Sequence, residues 1–162
     1  MDTAPVTLQP VGVVASPRKD TADDFWGDVV SEIRLDPTRF GPEALFGLKD
    51  FSHVEIVFLM NRVDPAKVEM GARHPRERTD WPLVGIFAQR GKNRPNRLGL
   101  SVARIEGIDG TALKVRALDA VDGTPVLDIK PYMSEFAPRG ATAQPAWSRE
   151  LIRDYYKATG AK

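Results

Sequence analysis

The chain has 162 residues, enough for one domain with a real core, and 42% apolar with 28% charged residues is an ordinary globular balance. A formal net charge of +1 excludes a strong global field toward nucleic acid, while leaving room for a local basic patch. The absence of Cys excludes disulfides, thiolate catalysis and cysteine zinc sites, and His53 and His74, the only imidazoles, form no close cluster with carboxylates that would suggest a metal. The N-terminus has no basic-then-apolar signal pattern and no segment is long enough to span a bilayer, so the expectation is a cytoplasmic location.

Residues 1–9 read as a loose lead-in. The β-branched run 11–15 is closed by Ser16-Pro17 and reads as a strand ending at a turn. The polar stretch 18–28 carries Phe25-Trp26-Gly27, an aromatic pair that is either a plug packed on the core or an exposed ligand platform. Residues 29–35 alternate as a strand, and Asp36-Pro37 stops it. Residues 42–48 suit a short helical turn, with Pro42 at its first position and Gly47 near its end. The most apolar run, 51–60, reads as a central strand that breaks at Asn61-Arg62. His53 at its start reads as a structural histidine.

Residues 63–82 form a long Pro- and Arg-rich loop holding Arg73-His74-Pro75-Arg76-Glu77-Arg78. It is either a solvated surface or a substrate contact. Residues 84–87, 99–105, 113–118 and 125–129 read as four more short strands, with an Asp109-Gly110 turn between two of them. Many short strands with one short helix suggest an antiparallel barrel or sandwich. No G-x-G-x-x-G follows a strand, which argues against a Rossmann fold. After a small-residue linker at 140–145, residues 147–157 read as a helix with Ser148 as N-cap. Its stripe of Trp147, Leu151 and Tyr155 is expected to dock on this domain or on a second subunit.

Two dense blocks stand out, 85–101 and 118–132. Each starts apolar and breaks into Arg, Asn, Asp, Lys, Gly and Pro, the way a fold holds functional side chains at the rim of a sheet. Asp119, Asp122 and Asp128 supply carboxylates; Arg90, Arg94 and Lys130 supply cations; Asn96, Thr124 and Tyr132 supply neutral polar groups. Gly99 and Gly123 let backbone approach a ligand closely. Such mixed charge suits a zwitterionic ligand better than a polyphosphate, with Arg forking onto a carboxylate and Asp meeting an ammonium. The competing reading is a salt-bridge network tying strand ends together, each exposed pair contributing about 0–1 kcal/mol. No serine, cysteine or paired-glutamate catalytic pattern is present.

At these residues the sequence resembles the TrmO/TsaA (YaeB-like) family. The likeness rests on Gly-Ile-Phe-Ala-Gln-Arg from Gly85, Arg-Pro-Asn-Arg-Leu-Gly-Leu-Ser from Arg94, and Leu-Asp-Ala-Val-Asp-Gly-Thr-Pro-Val-Leu-Asp-Ile-Lys-Pro-Tyr from Leu118. Residues 12–17 and 47–53 resemble the family's earlier motifs. The resemblance implies a mainly β chain: an antiparallel β-barrel with a short helix and a C-terminal helix. It divides the chain into a barrel domain at 1–140 and a linker with C-terminal helix at 141–162.

The resemblance further implies a homodimeric methyltransferase that uses S-adenosylmethionine near the subunit interface. The expected acceptor is the exocyclic nitrogen of threonylcarbamoyladenosine in tRNA, with no metal and no membrane. By motif position, the cofactor contacts are Phe25, Trp26, Asn61, Arg62, Arg90, Leu98, Leu118, Asp119, Val121, Asp122, Gly123 and Thr124. Arg94, Asn96, Asp128, Lys130 and Tyr132 shape the methyl-acceptor side. The chain departs from the family at three places: Asp23-Asp24-Phe25-Trp26 replaces a Pro-Arg-Gln loop, Asn61-Arg62 replaces His-Gln, and Arg97 replaces a Pro. These changes leave open another acceptor, a non-catalytic sensor of S-adenosylmethionine or an adenosine-like ligand, or a structural dimer.

Overall fold

The computed structural model describes residues 4–160; the start of the expected lead-in (1–3) and the end of the expected C-terminal helix segment (161–162) lie outside the described residues. Short β-branched runs closed by Pro, Gly or Asp form the strands. In chain order they are β1 (Gly12–Ala15), β2 (Val30–Leu35), β3 (His53–Leu59), β4 (Ala72–Arg73), β5 (Val84–Gly85), β6 (Leu98–Asp109), β7 (Ala112–Arg116) and β8 (Pro125–Pro131); one helix, α1 (Ala146–Leu151), follows.

Six strands close into an antiparallel barrel in the order β1-β2-β7-β6-β3-β8. The family's expected barrel is therefore the observed architecture. β3 is central: Val57 pairs with Leu100 of β6 on one side and with Asp128 of β8 on the other. Every second residue of β3 points inward, so Val54, Ile56 and Phe58 meet Val14, Ile33, Leu113, Val115 and Val126 in the core. Gly99 also faces this core. A Cβ there would lie 2.2 Å from the Phe58 ring, so the glycine makes room for a large neighbour.

β6 runs longer than its apolar pattern suggests, reaching Asp109 before Gly110 turns the chain with φ of 57°. β7 pairs with β6 only from Arg104 onward, whereas β3 pairs with it from Leu98. The first half of β6 therefore has no strand on its other edge. That gap positions the site.

Three local expectations are corrected. Residues 84–87 are not a barrel strand: β5 is two residues long, pairs with β4 outside the barrel, and gives way to a 3-10 turn at Ile86–Ala88. Gln89 explains the turn, since its buried amide donates to the carbonyls of Arg73 and Val84 and draws the chain back. The 42–48 helix is instead two 3-10 turns, Pro42–Leu45 and Leu48–Asp50, split by Gly47 at φ of 77°. The C-terminal helix stops at Leu151, and Ser148 lies within its first turn, donating to the Pro145 carbonyl, instead of capping it. Beyond Leu151 the carbonyls of Asp154, Tyr155 and Lys157 accept from the loop at 25–27, and that tertiary pairing displaces further helix.

Candidate functional site

Three loops converge where β1, β3 and β7 end. The loop after β1 is rigidified by Arg18, whose guanidinium donates to the carbonyls of Ala22, Asp24 and Phe25 and stacks 3.8 Å over Trp26. Trp26 is buried at 4% exposure, so of the two readings of the aromatic pair it is the plug. Phe25 stands in the left-handed region at φ of 68° and lines a small cavity of about 450 Å3 with Arg18, Asp23 and Val29.

Arg62, past the end of β3, bridges two of these loops: it donates to the carbonyls of Lys19 at 2.6 Å and Asp122 at 2.8 Å. Asp122 accepts from the Ser16 amide at 3.0 Å and donates its own N–H to Arg18. Gly123 turns the chain at φ of 79° and donates to Val14. Arg62, Asp122 and Gly123 are thus brought together, but by structural bonds. Asn61 is exposed and Val121 half-buried, while Leu118 and Thr124 are buried, and the Thr124 backbone bonds to Val121 and Val14.

Arg90 and Asp119 lie on the open edge of β6. Arg90 donates to the Leu100 carbonyl at 2.6 Å and, among the described residues, is in no ion pair. It lines a cleft of about 580 Å3 with Glu55, Leu100, Ser101, Tyr156 and Gly27. Such a volume suits a small-molecule ligand. Asp119 sits behind Ser101, accepting from the Ser101 hydroxyl and, at 2.6 Å, from the Tyr155 hydroxyl. Burial pushes its carboxyl above the usual range, against the pull of Tyr155, the backbone and Arg90. Burial and the Asp119 charge push the Tyr155 phenol far up.

Sequence reading missed Ser101, Tyr155, Tyr156, Arg18 and Gln89. Ser101 was within the first block but unremarkable by type. Tyr155 was read only as part of an apolar stripe expected to dock, which it does here, and nothing local marks either tyrosine as a partner of Asp119 or a wall of the cleft.

The residues expected on the acceptor side do not gather in one chain. Arg94 donates to the Gln89 carbonyl, and Asn96 is exposed beside Arg97, which sits at φ of 52°, a conformation closed to proline. These lead into Leu98, opposite Leu59 at one end of β3. Lys130 is opposite Glu55 and ion-pairs with Asp128 at 2.6 Å, and Tyr132 donates its N–H to His53 at the other end. Two to six residues of strand, roughly 7–20 Å, separate the two groups, with Asp128, opposite Val57, the nearest to Leu59. The basic loop is tied down: Arg76 forks onto Asp24, and Arg78 pairs with Asp80 while lying 4.0 Å over Trp81. Among the described residues no His, Asp and Glu group could hold a metal, and no helix is long and apolar enough to cross a membrane.

Comparison with known proteins gives the geometry its relatives. A probable S-adenosyl-L-methionine-binding protein of Pyrococcus abyssi is 34% identical over 157 residues, covering 94% of this chain and 82% of that protein. A tRNA (adenine(37)-N6)-methyltransferase of Mus musculus is 38% identical over 93 residues, 57% of this chain and 21% of its own length. A putative S-adenosylmethionine-dependent methyltransferase of Pseudomonas aeruginosa is 45% identical over 91 residues, 56% of this chain and 39% of its own. The chain thus spans well under half the length of these last two curated relatives. The crystal structure of TrmO from Pseudomonas aeruginosa superposes with a TM-score of 0.71 at 30% identity, covering 91% of this chain and 64% of that one. The model of the tRNA-methyltransferase O N-terminal domain matches residues 16–137, and the chain belongs to that family.

Proposed function

We propose that the protein is an S-adenosylmethionine-dependent methyltransferase acting on an amine nitrogen, with the adenine-derived nitrogen of threonylcarbamoyladenosine in tRNA as the first acceptor to test. The carrying observation is the cleft beside the open edge of β6. It offers a guanidinium at Arg90 that is in no ion pair among the described residues, a carboxylate at Glu55 and an apolar floor at Leu100, a set that fits the carboxylate, ammonium and carbon chain of an amino-acid-bearing cofactor. Relatives named for binding or using that cofactor support the same reading.

When bound, S-adenosylmethionine supplies a methyl group made electrophilic by a sulfonium. The protein's part is placement, and a well-oriented acceptor contributes about 7–11 kcal/mol. Arg90 would hold the carboxylate end of the cofactor with the guanidinium N–H groups not spent on the Leu100 carbonyl. The Asp128 carboxylate would receive the proton that an amine acceptor loses, directly or through water, or Tyr132 would relay it by taking that proton as its own hydroxyl proton passes to water. The distance of Lys130 and Tyr132 from Arg94 and Asn96 along β3 favours a homodimer, in which a second copy brings one group beside the other. The outward row of Leu98, Leu100 and Val102, at 37%, 47% and 43% exposure, offers an apolar face for that copy.

One observation favours a second reading, a non-catalytic binder or sensor: Lys130 and Asp128 pair with each other and leave neither free. Calorimetric titration with S-adenosylmethionine, followed by methyl transfer to unmodified and threonylcarbamoylated tRNA, separates the readings. Binding near one per subunit with transfer supports the enzyme. Binding without transfer to any amine acceptor supports the sensor. No binding by folded protein removes both.

A further inference from the structure

The C-terminal segment lies outside residues 16–137, which carry the family match, yet it is laid across the site. The Phe25 and Trp26 amides donate to the carbonyls of Asp154 and Tyr155 at 3.2 and 2.8 Å, and the Gly27 amide to Lys157 at 3.3 Å. Thr159 pins the far end, donating from both its amide and its hydroxyl to Asp28 at 3.0 Å. The near end is held at Trp81, whose indole N–H donates to Glu150 at 2.7 Å and whose ring lies 6.5 Å from that of Trp147. The approach is close. A Cβ on Gly27 would sit 2.0 Å from the Tyr156 carbonyl oxygen, so only glycine permits this strap to lie down.

Two adjacent tyrosines then divide the work. Tyr155 turns inward to Asp119, and Tyr156, 53% exposed, forms a wall of the cleft with Arg90 and Ser101. Their rings meet edge to face at 5.1 Å, which fixes one against the other.

We propose that Tyr156 is a ligand-contacting residue of the Arg90 cleft and that Tyr155 positions Asp119 behind it, so that the chain completes its own site with its C-terminal strap. The proposal rests on the reading of that cleft as the S-adenosylmethionine site. Tyr156 presents a half-open aromatic face in a cleft that also holds Arg90 and Glu55. A sulfonium or ammonium gains about tenfold in affinity or less on such a face. Asp119 faces Tyr155 and Tyr156 from the strap, Ser101 from β6 and Arg90 from the preceding loop. Its charged form adds attraction for the same cationic groups. The Tyr155 hydroxyl favours that charged form, so losing it makes Asp119 take up its proton at higher pH.

The test is calorimetric titration of the full chain with S-adenosylmethionine across a pH series, with thermal unfolding as the check on folding. Tyr156→Ala is expected to bind about two- to fivefold more weakly. Tyr155→Phe keeps the ring, and is expected to lose affinity at a higher pH than the wild type as pH falls. Gly27→Ala, which lifts the strap, is expected to weaken binding as well. Should Gly27→Ala fail to fold, the exposed Tyr156 variant still decides. In the wild type, ligand is expected to slow amide hydrogen exchange at Phe25, Trp26 and Gly27. Wild-type binding with unchanged affinity in Tyr156→Ala and an unchanged pH profile in Tyr155→Phe overturns the strap proposal alone. A folded wild type that binds no S-adenosylmethionine brings down the reading of the cleft itself.

Discussion

Arg90 and Asp119 illustrate how a residue's environment sets its chemistry. Arg90 spends one guanidinium N–H on the Leu100 carbonyl and leaves the rest of its fork facing the cleft. Arg90→Ala is expected to weaken S-adenosylmethionine binding by about 1–2 kcal/mol, roughly five- to thirtyfold, with little change in unfolding midpoint. Calorimetry reads it, and wild-type affinity would refute it. Asp119 is held above the ordinary carboxylate range by burial, so the folded chain binds its proton where the unfolded chain has lost it. Its contribution to stability is therefore most favourable below the unfolded value of about 3.9 and is lost as pH rises through the raised folded value. Asp119→Asn has no proton to lose. Its stability relative to wild type is expected to rise in urea unfolding as pH climbs from about 4 through the raised folded value, and a flat or falling difference would count against this account. The residue types of both positions were legible as binding chemistry. Ser101 and Tyr155, which fix Asp119, were not, because a hydroxyl gives no signal until a fold places it beside a carboxylate.

At the scale of elements, periodicity served well wherever one face of a strand is buried. β2, where inward Ile33 alternates with outward Glu32 and Arg34, and β3, β7 and β8, read from short apolar runs, fall close to their expected bounds. It failed where a distant partner decides. Residues 84–87 look like a strand, but Gln89 ties the chain to Arg73 and turns it. Residues 147–157 look like a helix, but six residues form only a marginal one, and loop amides at 25–27 take the later carbonyls. β6 was read too short because its last residues, with Glu106, Gly107 and Asp109 around Ile108, break the apolar pattern while the ladder to β7 continues across a register shift. Inside β6, Gly99 is a packing residue. Gly99→Ala is expected to cost about 1–3 kcal/mol in chemical denaturation, because Phe58 must leave its position in the barrel. A stability within 0.5 kcal/mol of wild type, roughly the range of a neutral surface change, would show that the ring moves freely.

For the whole molecule, a single barrel places Arg94 and Asn96 at one end of β3 and Lys130 and Tyr132 at the other. A dimer across the apolar outer face of β6 is the proposed remedy. Leu100→Arg is expected to keep the barrel's unfolding transition and to shift sedimentation toward the monomer; a wild type that sediments as a monomer would remove the dimer. The amino-acid sequence by itself determined a mainly β chain, its most apolar strand and the two motif blocks, because strand patterning and turn chemistry act over a few neighbouring residues; the choice of a barrel over a sandwich came from the family resemblance, and the exclusion of residues 84–87 from its six strands from the fold. Tertiary structure alone decided which of those residues face a ligand and which hold loops together. It buried Trp26, spent Asp122 on Ser16, and brought Tyr155 to Asp119 across 36 positions. The reason is physical: a polar side chain's role depends on the partner it meets in space, and that partner here comes from the far end of the chain.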